Sequence, residues 1–238
     1  MKRTRSLSAP KGQKLKRRKA MGPTGDKEVL TNEVATAMML SSRITRIVPP
    51  ALRTKLRLSV NVNLDPLSGT VSAWLFRAND GYDPDYTGTG AQPKGLDQFF
   101  AFYSKAVCKG SKITIKTANL TSGQGCQWGV SLRNSVTTEV TPRGYVEDPV
   151  SVWALGANTN TINQECTLTY NPSKIFGAKG DLKDDEELYF TNASSPSKVA
   201  YYHLWLGAWS SFDVAPTQVI GVIEYDYEFF EPRDVGPS

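Results

Sequence analysis

The chain has 238 residues and a mass of 26.2 kDa, with 39% hydrophobic, 10% aromatic and 21% charged side chains and a formal net charge of +5. That composition is globular and is enough for one sizeable core. No run of eighteen apolar residues occurs and no apolar stretch follows the basic N-terminus, so a membrane span and a secretory signal are both excluded as expectations, and a reducing compartment is expected.

Lys2, Arg3, Arg5, Lys11, Lys14, Lys16, Arg17, Arg18 and Lys19 all stand in the first twenty residues, with no acid among them. Mixed with Ser, Gly and Pro, and with only Leu7 and Leu15 as large aliphatic residues, this stretch cannot bury enough surface to fold alone. Residues 1–25 therefore read as a disordered basic arm. The arm holds nine of the 28 basic side chains, which leaves 19 against 23 acids in the remainder, a mildly acidic body. A polycation of this kind binds phosphate backbones by counterion release, without sequence preference. The run Lys14 to Lys19 also fits a nuclear import address.

After the linker Gly22-Pro23-Thr24-Gly25, Asp26 caps an expected short helix through about Ser41, and residues 26–50 form a helix-and-linker segment. Arg43, Arg46, Arg53, Lys55 and Arg57 continue the positive trend, with no acid between Glu33 and Asp65. These five, with the nine of the arm, are the candidate nucleic-acid-binding residues.

From Leu52 to Leu64 apolar and polar side chains alternate: Leu56, Leu58, Val60, Val62 and Leu64 on one face, Lys55, Arg57, Ser59, Asn61 and Asn63 on the other. That is a half-buried strand. A turn at Asp65-Pro66-Leu67-Ser68-Gly69 leads to a second strand, Val71 to Arg77, and the two are expected to form a hairpin. Ala78 to Gly95 is rich in Gly, Asp and Pro and reads as a large irregular loop. It and a second loop, Asp181 to Lys198, are expected to build the outer surface or contacts between subunits. A short helix is expected over Leu96 to Tyr103. Six further strands follow: Ser111 to Ala118, Cys126 to Arg133, Val150 to Leu155, Cys166 to Tyr170, Lys198 to Ala208 and Gln218 to Phe229. In the last, Val219, Ile223, Tyr225, Tyr227 and Phe229 face inward and Glu224, Asp226 and Glu228 outward. Eight strands with long connections and no Cys-Trp-Cys framework favour a single eight-stranded jelly-roll sandwich over residues 51–238, an all-β fold.

Catalytic chemistry has little to stand on. The single histidine, His203, excludes a zinc site needing two His ligands, and neither a Gly-x-Ser-x-Gly elbow nor a phosphate-cradling glycine loop is present. His203 reads as a structural strand residue, and the protein as a non-enzyme. Cys108, Cys126 and Cys166 are widely spaced and read as buried small hydrophobes. The triplets at Asn119 and Asn192 fit glycosylation by spacing alone. Asp80, Asp83 and Asp85, and separately Asp184, Asp185, Glu186 and Glu187, read mainly as solvated loop faces, with calcium at a subunit contact as a side expectation and no cofactor otherwise. The late aromatics Tyr201, Tyr202, Trp205, Trp209, Phe212, Tyr225, Tyr227, Phe229 and Phe230 have apolar or acidic neighbours, so they suit a core and subunit contacts better than base stacking.

The run Phe76-Arg77-Ala78-Asn79, Tyr82-Asp83-Pro84-Asp85, Thr87-Gly88-Thr89-Gly90, Gln92-Pro93, Gly95, Asp97-Gln98, Tyr103 and Gly110-Ser111-Lys112-Ile113 resembles the capsid proteins of eukaryotic circular Rep-encoding single-stranded DNA viruses. In many relatives a His precedes Gln-Pro; here that position is Ala91. The resemblance implies a jelly-roll coat protein that assembles into an icosahedral (T=1) shell, typically of sixty copies. Its basic arm would be directed to a packaged single-stranded DNA genome. It further implies a virion component; the import-address run at Lys14 to Lys19 adds the expectation of passage through the host nucleus by way of an import receptor, and the absence of an apolar span that of no membrane partner. From the residues alone the cargo is DNA or RNA. Two other functions fit parts of the pattern: a nuclear nucleic-acid-binding or chaperone-like β-sandwich forming a small oligomer, and a carbohydrate-binding jelly roll, which leaves the arm unexplained.

Overall fold

The computed structural model describes residues 48–118, 125–156, 164–208 and 213–234. The chain divides into two units, Met1–Arg46 and Ile47–Ser238, and all described residues belong to the second. The arm, the helix expected over 26–41, Arg43, Arg46, Asn119, Trp209 and Phe212 lie outside the described residues. The elements in chain order are β1 (Ala51–Leu64), β2 (Val71–Arg77), α1 (Leu96–Phe100), β3 (Tyr103–Ala118), β4 (Cys126–Arg133), α2 (Pro142–Val146), β5 (Ser151–Gly156), β6 (Glu165–Tyr170), α3 (Pro172–Ile175), a 3-10 turn (Leu182–Asp184), β7 (Tyr189–Phe190), β8 (Tyr201–Ala208) and β9 (Thr217–Pro232). Among the described residues no helix is long and apolar enough to cross a membrane.

The strands form two antiparallel sheets, one in the order β1-β9-β3-β6 with β7 added beside β3, the other in the order β2-β8-β4-β5. Chain order and sheet order together define the fold, because every connection between the eight long strands crosses to the opposite sheet except the one from β4 to β5. Two interleaved Greek keys of this kind are the jelly roll.

The expected opening hairpin does not form. Asp65–Gly69 does turn, with Thr70 N–H donating to the Leu67 carbonyl at 2.9 Å and Gly69 at φ 71°, but the strands it joins enter different sheets. β1 pairs with β9 along all fourteen residues, and β2 pairs with β8. Each of the first two strands carries one apolar face, Leu56 to Leu64 on β1 and Trp74 with Phe76 on β2. Stacking these faces across the interior removes both from water, at about 1.5–3 kcal/mol for each large side chain fully buried.

β3 begins eight residues earlier than expected and β9 ends three later, because Ala106, Val107 and Phe230 continue the buried pattern past the clean alternation. The two-residue strand β7 was too short to carry a periodic signal. Both long loops also depart from expectation. Ala78, Asn79, Asp80 and Gly81 are buried, and only 86–91 and Lys94 are exposed. Asn79 explains the burial: its Nδ2 donates to the Lys198 carbonyl at 2.8 Å, and its Oδ1 accepts from Ala200 N–H at 3.0 Å, so it substitutes for a missing strand rung. In the 181–198 segment Leu182, Leu188 and Phe190 are buried, the first two in a small cluster with Val107 and Phe230.

Candidate nucleic-acid interface

Alternation along β1 drives Leu56 and Leu58 into the core and leaves Arg53, Lys55 and Arg57 exposed on the outer face of the first sheet. The register with β9 sets their surroundings. Arg53 lies opposite Glu228, Lys55 opposite Asp226 and Arg57 opposite Glu224, so the basic row of one strand abuts the acidic row of the next. Arg53 donates to both Asp226 oxygens, Nε to Oδ1 at 2.8 Å and Nη2 to Oδ2 at 2.5 Å. Arg57 donates to Glu224 Oε1 from Nε at 2.8 Å. On the far side of β9, Lys109 pairs with Glu228 at 2.8 Å and with Asp181 at 3.0 Å, and Lys116 pairs with Glu165 at 3.3 Å. The hydrogen bond from Lys109 holds the Asp181 carboxyl down at about 2. Burial pushes Glu228 up, but hydrogen bonds from Lys109 and Lys183 outweigh it and leave the carboxyl below its ordinary value.

The outer face is thus largely neutralised within the chain. Arg53 and Arg57, two of the sequence-derived candidates, are already bonded to acids, and exposed pairs of this kind contribute only about 0–1 kcal/mol to stability. Lys55 is different. It has no ion-pair partner among the described residues, and with Lys112 of β3 it borders a shallow depression of about 210 Å³ over Glu224, Tyr225 and Asp226. Lys112, named in the sequence reading only within the run Gly110–Ile113 and not as a binding candidate because it lies 57 residues beyond Lys55, is brought beside it by the order β1-β9-β3. A rule pairing alternating basic strands with the acidic strand between them would have found it.

The acidic loop is organised around a guanidinium. Arg77 Nη1 donates to Asp80 Oδ2 at 3.0 Å and to Ser195 Oγ at 3.0 Å, and pairs with Asp83 Oδ2 at 2.8 Å. Burial disfavours the charge on Arg77, and Asp80 and Asp83 more than offset this, leaving the guanidinium above its ordinary value. Asp85 accepts from Trp74 Nε1 at 3.3 Å and from Thr87 N–H and Oγ1 at 3.0 and 2.8 Å. In the second acidic group Asp185 accepts from Glu187 N–H, and Glu187 pairs with Lys198. Among the described residues no three His, Cys, Asp or Glu side chains converge as a metal ion requires.

His203 is fully buried on β8. Its Nε2 lies 2.8 Å from the Ser135 carbonyl, which can only accept, so Nε2 carries the proton and Nδ1 accepts from Tyr145 O–H at 3.2 Å. Burial lowers its pKa. The three cysteines are free and buried, and burial pushes Cys126 up to about 11 and Cys166 to about 12, which makes them poor nucleophiles.

No family model matches the sequence, and no curated protein matches it. Solved structures of viral coats do resemble the fold. Tobacco necrosis virus matches at 12% identity over 79% of this chain and 86% of that one, with a TM-score of 0.48. The empty head of turnip yellow mosaic virus matches at 11% identity over 82% and 88%, with a TM-score of 0.45. A decameric BFDV capsid protein matches at 8% identity over 75% and 99%, with a TM-score of 0.41. The likeness is confined to the fold.

Proposed function

We propose that this chain is a viral coat protein whose jelly-roll body assembles with copies of itself into a closed shell and whose basic arm packages a single-stranded genome, DNA by the sequence resemblance. The observation that carries the reading is the separation of charge. Nine arm cations are unopposed in sequence, while the body's outer-sheet arginines at 53 and 57 are bonded to β9 acids. A polyanion therefore gains most from the arm, by counterion release, and the outer face of the first sheet adds little beyond Lys55 and Lys112. Packaging in this account is condensation without base readout. The run at 14–19 serves as the nuclear import address, and the protein is structural, without a catalytic step.

Deleting residues 1–20 tests the reading. The truncated chain is expected to fold and assemble, as seen by negative-stain microscopy, but to co-purify with several-fold less nuclease-sensitive nucleic acid than the full chain. Unchanged nucleic-acid content overturns the role of the arm. A full chain that forms only small oligomers overturns the shell and favours a nuclear binding protein instead.

A further inference from the structure

We propose that the β5 edge of the second sheet is a contact surface for a second copy of this chain, seated on Trp153 and Leu155. The inference rests on the shell-forming reading above and names a surface for it. Among the described residues β5 pairs with β4 alone, so its outer edge presents unpaired backbone groups. Exposed edges are ordinarily guarded by lysine, proline or a bulge. Ser151–Gly156 has no charge and no proline, and its register with β4 runs unbroken. Trp153 is 42% and Leu155 38% exposed, two residues apart on the outer face. Gly129, directly opposite, lets the two backbones approach closely: a Cβ there would lie 2.8 Å from the Trp153 Cα. Scattered apolar residues on a surface are ordinary, but an indole and a leucine together on an unguarded edge are the kind of anchor around which interfaces form.

The shell reading supplies the occupant, a second copy, and the charge around the patch is compatible with it. The ionic groups beside the patch are spent within the chain. Helix α2, which packs on β5, carries the Arg143–Glu147 pair at 2.6 Å, and Arg133 holds both Glu139 and Asp148. A partner of strong opposite charge finds no unpaired charge there to meet. An identical copy brings the same neutral surround and suffers no like-charge repulsion on approach.

Full-length protein and three variants, Trp153→Lys, Leu155→Lys and Leu67→Lys, test this by sedimentation velocity across protein concentration. Leu67, on the turn between β1 and β2 and 73% exposed, is the control for added charge at an apolar site away from β5. The expected result is that Trp153→Lys and Leu155→Lys each raise the concentration needed for assembly by about tenfold or more, while Leu67→Lys assembles like the parent. Normal assembly of both β5 variants overturns the inference and leaves the shell intact; a parent chain that stays monomeric overturns the shell reading and the inference with it. If the lysine variants misfold, the difference in indole emission between the parent and Trp153→Phe decides the matter. It is expected to shift to shorter wavelength on assembly, and an unshifted spectrum overturns the proposal.

Discussion

The Tyr202 hydroxyl donates to Ser111 Oγ at 2.9 Å across the middle of the sandwich, joining β8 of one sheet to β3 of the other. Ser111 Oγ donates in turn to the Ala78 carbonyl at 2.5 Å, and Tyr202 oxygen accepts from Tyr170 N–H of β6 at 3.0 Å. The donors and acceptors thus run in one direction, from Tyr170 through Tyr202 and Ser111 to Ala78. Burial raises the Tyr202 pKa, which keeps the hydroxyl protonated and able to donate.

Tyr202→Phe is therefore expected to leave the Tyr170 N–H without a partner in the core and to cost about 1–3 kcal/mol. Urea unfolding of Tyr202→Phe, Ser111→Ala and the double variant measures the coupling, expected at about 1 kcal/mol. Additive losses would show that the two hydroxyls act independently.

A second prediction concerns Arg133, at the end of β4. It donates to Asp148 from Nε at 2.6 Å and from Nη2 at 2.8 Å, pairs with Glu139, and lies over the Tyr145 ring at 4.8 Å. It clasps the 134–150 segment onto the outer face of the second sheet, where Tyr145 stacks on Trp205 at 5.3 Å. Arg133→Ala strands the Asp148 carboxylate, so a loss of about 2–4 kcal/mol is expected, together with faster tryptic cleavage at Arg143. Lysine at 133 keeps the charge but not the fork and should recover less than half of the loss.

Acid should act first through His203. Its folded pKa is depressed by burial, with Arg133 lowering it further and Asp148 and Glu139 opposing. The unfolded chain therefore takes up the proton first, and stability falls as pH drops below the ordinary value of 6.5 toward the folded one. Asp181, whose folded pKa is lowered to about 2, adds a separate loss only below about 4, where the unfolded carboxyl protonates. Melting temperature measured from pH 7 to 5 is expected to decline in the parent and to be flatter in His203→Gln. Equal slopes would remove His203 from the account.

The outer face yields a fourth prediction. Lys55→Gln and Lys112→Gln are each expected to reduce the salt slope of single-strand binding by about 0.7, the value for one phosphate no longer neutralised. Arg53→Gln and Arg57→Gln remove cations already bonded to Asp226 and Glu224 and should change the slope much less. Titration of a labelled oligonucleotide at several salt concentrations separates the pairs, and a larger effect from the arginines would contradict the neutralised outer face.

Much of the strand pattern was legible because side-chain alternation is local. β4 was bounded to the residue at Cys126 and Arg133, and the inward set of β9, Val219 through Phe229, is buried as its period requires. Departures occur where a short segment is held by distant groups. Asn79 makes its loop a latch by bonding residues 119 and 121 positions away, and Arg133 turns an apparently polar stretch into a cover for Trp205. Helix α2 itself had a local signal, Thr141 before Pro142, but at five residues it was too short to show an apolar stripe.

By itself the sequence determined which faces of the strands are apolar, that the body is all-β, and that nine cations are gathered in one terminal run free of acid. These depend on neighbouring residues and on composition. Only the tertiary structure decided that β1 lies beside β9 and not β2, so that Arg53 and Arg57 meet acids more than 160 positions away while Lys55 and Lys112 stand unpaired among the described residues. Strand partnership is chosen by burial of both sheets' inner faces at once, a global optimum that no local period encodes.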